Sequence, residues 1–275
     1  MAELYFNDHA PIGVIDSGIG GLTVANAIRD LLPNEAIYYF GDTAHLPYGD
    51  KSAASVRYYT ARITDLLVKK GCKCVVIACN TASSFAAKTA EEIADGVKVI
   101  DVVTPVIEHI IQYLSNKKIG IIGTKGTIES RIYPRRLKLE GKNIDVKSMA
   151  TPLLASMVEE GFFKNKISKA VINQYLSSHH LSGIEALVLA CTHYPLIKPE
   201  ISSYYNAQNI DVEVVDNASL TAKAVRNYLE ISGLLNSGIQ KPDHFMVSDY
   251  TKSFEVSTQI FFGEKVSLEE VRIWD

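Results

Sequence analysis

The sequence predicts an α/β protein built on mainly parallel sheets, and three observations carry that prediction. Short apolar runs alternate along the chain with segments of helical periodicity. The runs are rich in Val, Ile and Ala and are bounded by Gly, Asp, Asn or Thr, as parallel strands buried on both faces tend to be. A pattern from the first half of the chain recurs in the second, which reads as a duplication into two similar halves.

The strand candidates are residues 12–15, 36–40, 74–78, 97–103, 119–123, 186–190 and 212–215. Between them, Val56, Tyr59, Ile63, Leu66 and Leu67 recur at three- and four-residue spacing and predict a helix over 52–69 with one apolar face. Residues 167–176 and 220–229 read the same way. Strand–helix repeats imply right-handed crossovers between parallel strands. A (β/α)₈ barrel satisfies the same alternation. Residues 236–242 read as a surface loop, and 244–263 fit either strands or a strand–helix–strand unit.

The repeat is specific. Pro11-Ile-Gly-Val-Ile-Asp-Ser17 resembles Lys118-Ile-Gly-Ile-Ile-Gly-Thr124, and Val75-Val-Ile-Ala-Cys-Asn-Thr81 resembles Leu187-Val-Leu-Ala-Cys-Thr-His193. Each half thus has one strand ending in a small hydroxyl residue and a later strand ending in cysteine. The competing explanation is that buried strands look alike because all are rich in Val, Ile and Ala.

Composition narrows the function. The 275 residues can bury one large core or two ordinary ones, and the 47% apolar content argues against disorder. A net charge of −3 speaks against nucleic acid as a partner. The one basic run, Arg131, Arg135, Arg136 and Lys138, reads as a solvated helix face. Glu3 and Asp8 sit where a secretory signal would be basic and then apolar, and no apolar run reaches the ~18 residues of a membrane span. Four cysteines, three of them within Cys72–Cys79, do not have the spacing of a disulfide framework, so a reducing, cytoplasmic setting is expected.

In open parallel sheets, ligands bind beyond the carboxyl ends of the strands. The turns there are Asp16-Ser17-Gly18, the loop 41–49, Cys79-Asn80-Thr81, Gly123-Thr124 and Cys191-Thr192-His193. Their small polar side chains and free N–H groups suit a small anionic or zwitterionic ligand. Cys79 and Cys191 occupy matching positions in the two halves. If a pseudo-twofold relates the halves, the thiols approach one carbon from opposite faces. Racemisation is the simplest reaction needing that arrangement, with one thiolate removing the α-proton and the other thiol returning one.

An untuned thiol, with pKa ~8.5, is only about three per cent thiolate at pH 7. Asp16 and His193 are placed to orient or exchange protons with the thiols, and a helix N-terminus after each cysteine would favour the thiolate. Cys72 and Cys74 have no counterpart in the second half and read as structural. A zinc site from Cys72, Cys74, Cys79 and His193 is disfavoured by the Cys-x-Cys spacing. Gly18, Gly20 and Gly21 lack the Lys-Ser/Thr of a phosphate loop, so they read as a tight turn with close backbone approach.

Four motifs closely resemble the glutamate racemase family of the aspartate/glutamate racemase superfamily. They are Ile15-Asp-Ser-Gly-Ile-Gly-Gly21, Gly41-Asp-Thr-Ala-His-Leu-Pro-Tyr-Gly49, Ala78-Cys-Asn-Thr-Ala82 and Ala190-Cys-Thr-His-Tyr-Pro195. The resemblance implies two similar α/β domains, 1–100 plus 210–275 and 101–209, with the active site in the cleft between them. It implies Cys79 and Cys191 as the acid/base pair, assisted by Asp16, His193 and Glu159, the last from Val158-Glu-Glu-Gly161 with Glu160 as the alternative. Substrate contacts would come from Asp16, Ser17, Tyr48, Gly49, Asn80, Thr81, Thr124, Thr192 and His193. Where the family often has Cys-Pro, this chain has Thr151-Pro152. The family uses no pyridoxal phosphate and no metal, acts on glutamate for peptidoglycan synthesis, and often forms homodimers. The other readings are an aspartate racemase of the same superfamily and a non-catalytic dicarboxylate-binding protein.

Overall fold

The computed structural model describes residues 7–142 and 144–274. The first six residues, which carry part of the expectation of no secretory signal, lie outside the described residues, as do Asn143 and Asp275. The chain begins with β1 (Ile12–Asp16), α1 (Leu22–Leu31), β2 (Ile37–Gly41), α2 (Ala53–Lys69), β3 (Cys74–Ile77), α3 (Asn80–Ala94) and β4 (Lys98–Asp101). It crosses through α4 (Thr104–Tyr113) into β5 (Ile119–Gly123), α5 (Lys125–Glu129), α6 (Ile132–Leu139), β6 (Val146–Ala150), α7 (Pro152–Glu159), α8 (Lys166–Leu176), β7 (Ala186–Ala190), α9 (Lys198–Asn206) and β8 (Glu213–Asp216). It returns through α10 (Asn217–Ile231) to β9 (His244–Val247), α11 (Lys252–Phe262) and β10 (Glu269–Glu270).

The strands form two sheets, ordered β10-β9-β2-β1-β3-β4 and β6-β5-β7-β8, and every pairing is parallel. Within each sheet the first four strands of the half share one order, second-first-third-fourth. The duplication legible in the sequence is therefore a duplication of topology. Two separate sheets exclude the (β/α)₈ barrel. The C-terminal segment takes the strand–helix–strand form and adds β9 to the outer edge of β2.

The central strands β1, β3, β5 and β7 are buried along their whole length, which is why they read as apolar runs. One apolar cluster runs through both sheets, from Val14 and Val76 to Leu187 and Leu189, and two further clusters cover the outer faces. Several helices start where a side chain caps them: Ser52 accepts from Ser55 N–H at 3.1 Å, and Asn165 forms a capping box with Ser168.

Both crossings between the sheets leave the end of an edge strand that finishes in aspartate. Asp101 accepts from the N–H groups of Val103 and Thr104, and Asp216 from that of Ser219. The return crossing starts after Asp216 because β8 pairs with β7, so the expected boundary near 210 falls short of the second sheet's last strand. The helices that leave these strands, α4 and α10, pack against each other. The loop 236–242 has no regular structure, yet Asn236 is buried: its N–H donates to Glu35 and its side-chain amide to the Asn34 carbonyl. Arg131, Arg135 and Lys138 are exposed on or beside α6, as a solvated face should be. Among the described residues no helix is long and apolar enough to cross a membrane.

Candidate active site

The carboxyl ends of the central strands of both sheets meet at one cavity of about 80 Å³. Cys79 and Cys191 both line it, Cys79 just beyond β3 of the first sheet and Cys191 directly after β7 of the second. Ser17, Tyr48, Gly49, Asn80, Thr81, Thr124, Thr192, His193 and Glu159 line it as well. Larger clefts of about 780 and 670 Å³ lie elsewhere and include neither thiol.

The two thiols sit in different electrostatic settings. Cys79 caps α3, its sulfur accepting from the Ala82 N–H at 3.5 Å. Burial nevertheless pushes its thiol up to about 12, with the charge of Asp16 adding to the effect. The helix N-terminus expected to favour a thiolate is present, but burial outweighs it. Cys191 is followed by a 3₁₀ turn, Tyr194–Ile197, rather than directly by an α-helix, because Pro195 suits only a helix start and Tyr194 already closes the turn onto the Cys191 carbonyl. Its partner is His193, whose Nδ1 lies 3.6 Å from Sγ.

His193 is buried between two acceptors. Its Nε2 donates to Glu159 Oε1 at 2.8 Å. Burial works against the imidazolium, but the Cys191 sulfur and the Glu159 carboxylate outweigh it and hold the ring well above its ordinary value. Glu159 has the matching shift: burial raises its carboxyl, and the hydrogen bond and charge of His193 bring it below the usual range. Glu160 is exposed at the C-terminus of α7, so Glu159 is the member of the pair that faces the site.

Asp16 does not line the cavity. It is fully buried behind the lining, accepts from Gly18 N–H at 3.0 Å, and is raised by burial against the pull of His193 and three N–H groups. Its other oxygen has no hydrogen-bond partner among the described residues. Its influence on Cys79 is through charge. Direct contact with a ligand in the cavity would come from Ser17, one residue on.

Several predicted contact residues are held in networks invisible in the sequence. The Asn80 amide donates to the Tyr133 hydroxyl at 3.0 Å and accepts from the Asn217 amide at 2.5 Å, with all three residues buried. Tyr48 donates to buried Asp42 at 2.7 Å, and Asp42 also accepts from Ser248. The loop 41–49 is thereby pinned to β9, and what Tyr48 and Gly49 can offer a ligand is main chain. Thr81, Thr124 and Thr127 form a triangle of hydroxyls with edges of 2.9, 3.0 and 3.2 Å. Asp42 lies inside the 41–49 motif and Thr127 three residues after Thr124, while Tyr133, Asn217 and Ser248 carry no local signal. Pro152 of the Thr151-Pro152 departure lines the cavity too.

The arrangement offers two thiols from different sheets, a histidine beside one of them, and a wall of hydroxyl and amide donors. That wall suits carboxylates. Among the described residues Lys125 is the one lysine or arginine on the lining, and it pairs with Asp50 at 3.6 Å. Among the described residues no three His, Cys, Asp or Glu side chains converge as metal ligands.

The glutamate racemase of Chlorobaculum tepidum is 38% identical over 267 residues, 97% of each chain. The solved glutamate racemase from Francisella tularensis in complex with D-glutamate superposes with a TM-score of 0.90 at 36% identity, covering 97% of this chain and 99% of that one. The aspartate racemase of Picrophilus torridus, at 18% identity and a TM-score of 0.57 over 82% of this chain and 95% of its own, shares the fold. The family described as Asp/Glu/Hydantoin racemase matches residues 12–225. With that match covering β1 to β8 and both thiols, the chain belongs to the Asp/Glu/Hydantoin racemase family.

Proposed function

We propose that this protein interconverts L- and D-glutamate, with Cys79 and Cys191 as the acid/base pair. The observation that carries the reading is that two thiols from topologically equivalent strand ends, one per sheet, line one small cavity. Glutamate rather than aspartate is favoured because the relatives near 38% identity are glutamate racemases, whereas the aspartate racemase shares only the fold.

In one direction the Cys191 sulfur, beside His193, takes the α-proton. The negative charge that develops on the substrate α-carboxylate is met by donors already in place at Ser17, Asn80-Thr81 and Thr192. The Cys79 thiol, kept protonated by burial and Asp16, delivers its proton to the opposite face. The reverse reaction exchanges the two roles. Each turnover leaves the pair in the opposite protonation state; His193, 3.6 Å from the Cys191 sulfur, is placed to help restore it, while Asp16 acts on Cys79 through its charge. The same proposal covers a cytoplasmic homodimer whose D-glutamate feeds peptidoglycan synthesis.

Deuterium incorporation at the α-carbon of each glutamate enantiomer in heavy water tests it. Cys79→Ser and Cys191→Ser should each abolish racemisation and each lose exchange from a different enantiomer. Undiminished exchange from both enantiomers in both variants rules the mechanism out. Faster turnover of aspartate than of glutamate by the wild type rules out the substrate.

A further inference from the structure

The glycine turn after β1 reaches across to the second half of the molecule. Thr23, buried at the second position of α1, has its hydroxyl 2.8 Å from the Thr192 carbonyl oxygen and 3.0 Å from the Gly20 carbonyl. The hydroxyl has one proton to give, and the Thr192 carbonyl is the nearer of the two acceptors. Gly20 itself abuts the next residue of the same turn. A Cβ placed on it would lie 2.3 Å from His193 Cε1, 2.6 Å from Nδ1 and 2.7 Å from Thr192 Oγ1. No side chain other than hydrogen fits there while the imidazole keeps its place.

From these contacts we infer that Thr23 and Gly20 are positioning residues for proton transfer at Cys191. The Thr23 hydroxyl fixes the 191–193 backbone, and the bare α-carbon of Gly20 sets how far the His193 ring swings and so keeps Nδ1 towards Sγ. The inference rests on the proposed role of Cys191 in racemisation. His193 is then held on three sides: by Glu159 at Nε2, by the edge of Phe261 at 5.2 Å between ring centroids, and by Gly20. The titratable groups around the Cys191–His193 pair are Asp16 from β1, Cys79 from the start of α3, Glu159 from α7 and Tyr194 from the following turn. None of these is on α1, so substitutions at Thr23 change the geometry of the pair without changing its neighbouring charges.

The test is iodoacetamide alkylation of each cysteine against pH, read by peptide mass spectrometry on the full chain without substrate, alongside kcat/KM for glutamate. Thr23→Val keeps the shape and removes the donor, Thr23→Ser restores the donor, and Gly20→Ala adds one methyl aimed at His193. Thr23→Val and Gly20→Ala should lower the Cys191 alkylation rate about tenfold across the neutral range of its pH profile, leave that of Cys79 in place, and lower kcat/KM about tenfold in both directions. Thr23→Ser should behave as wild type. A Cys191 profile unmoved in both variants, or one that moves together with that of Cys79, overturns the inference and leaves Thr23 as packing. If Thr23→Val does not fold, Gly20→Ala decides. Because alkylation needs no substrate, a failure of the glutamate assignment alone would leave this result standing.

Discussion

The Nε2 atom of His193 lies 2.8 Å from Oε1 of Glu159, while the other ring nitrogen faces the sulfur of Cys191. A carboxylate on one side of an imidazole raises its proton affinity on the other. Glu159→Gln keeps an acceptor for Nε2 and removes the charge. His193 should then fall towards its ordinary value, and the alkaline limb of kcat/KM should move to lower pH. Each unit of that fall is worth about 1.4 kcal/mol, or tenfold in the imidazolium population at fixed pH above it. A pH profile unchanged in Glu159→Gln would disconnect Glu159 from the chemistry.

The same pair has a stability signature. His193 is raised in the folded protein, so its contribution is complete below about pH 6.5 and is lost as pH rises through its folded value. Glu159 is lowered, so its contribution holds above about pH 4.3 and is lost as pH falls through its folded value. Urea unfolding of wild type and Glu159→Gln should therefore differ most near pH 6 and converge as the medium becomes alkaline.

The buried thiols predict alkaline sensitivity. Burial pushes Cys72 and Cys79 up to about 12, and Cys74 higher still. In the unfolded chain all three ionise near pH 8.5. A raised folded value means stability that is complete below the unfolded value and lost on the way up. Between pH 7.5 and 9.5 each such thiol should remove about 1.4 kcal/mol from the unfolding free energy. Cys72→Ala, which takes one thiol out of the count away from the cavity, should show a smaller loss over the same interval. Equal losses in the two proteins would refute the assignment.

At the amino end of β3, opposite the cavity, Lys73 and Glu35 form a buried ion pair with Nζ 2.5 Å from Oε2. Lys73 also donates to the carbonyls of Asp8 and Leu234, and Glu35 accepts from Asn236 N–H. Lys73→Met strands a buried carboxylate and should cost about 3–5 kcal/mol of stability. Adding Glu35→Gln should recover part of it, with kcat/KM staying close to wild type throughout. A double variant no more stable than the single one would show that the pair's value lies in its carbonyl contacts instead.

Much of the core was legible because its strands are covered on both faces and therefore read as unbroken apolar runs. Residues 119–123 and 186–190 match β5 and β7 end to end, and the other runs match their strands to within a few residues. The edge strand β6, Val-Lys-Ser-Met-Ala, is only half-buried and its sequence carries no apolar run. The cavity's lining was readable from the motifs because short polar turns at strand ends have few other uses. Depth was not readable: the N-terminus of α3 is visible in the sequence, but the burial that outweighs it at Cys79 comes from elements far away in the chain. The same holds for Asn80, whose partners Tyr133 and Asn217 look like ordinary helix residues until the fold brings them together.

The polypeptide passes between the sheets twice, and the helices at the two passages lean on each other. Two tethers side by side behave as the leaves of a door hinge rather than as a single thread. Held at two neighbouring points instead of one, the halves have fewer ways to slide or unscrew past each other than a single connection would leave them.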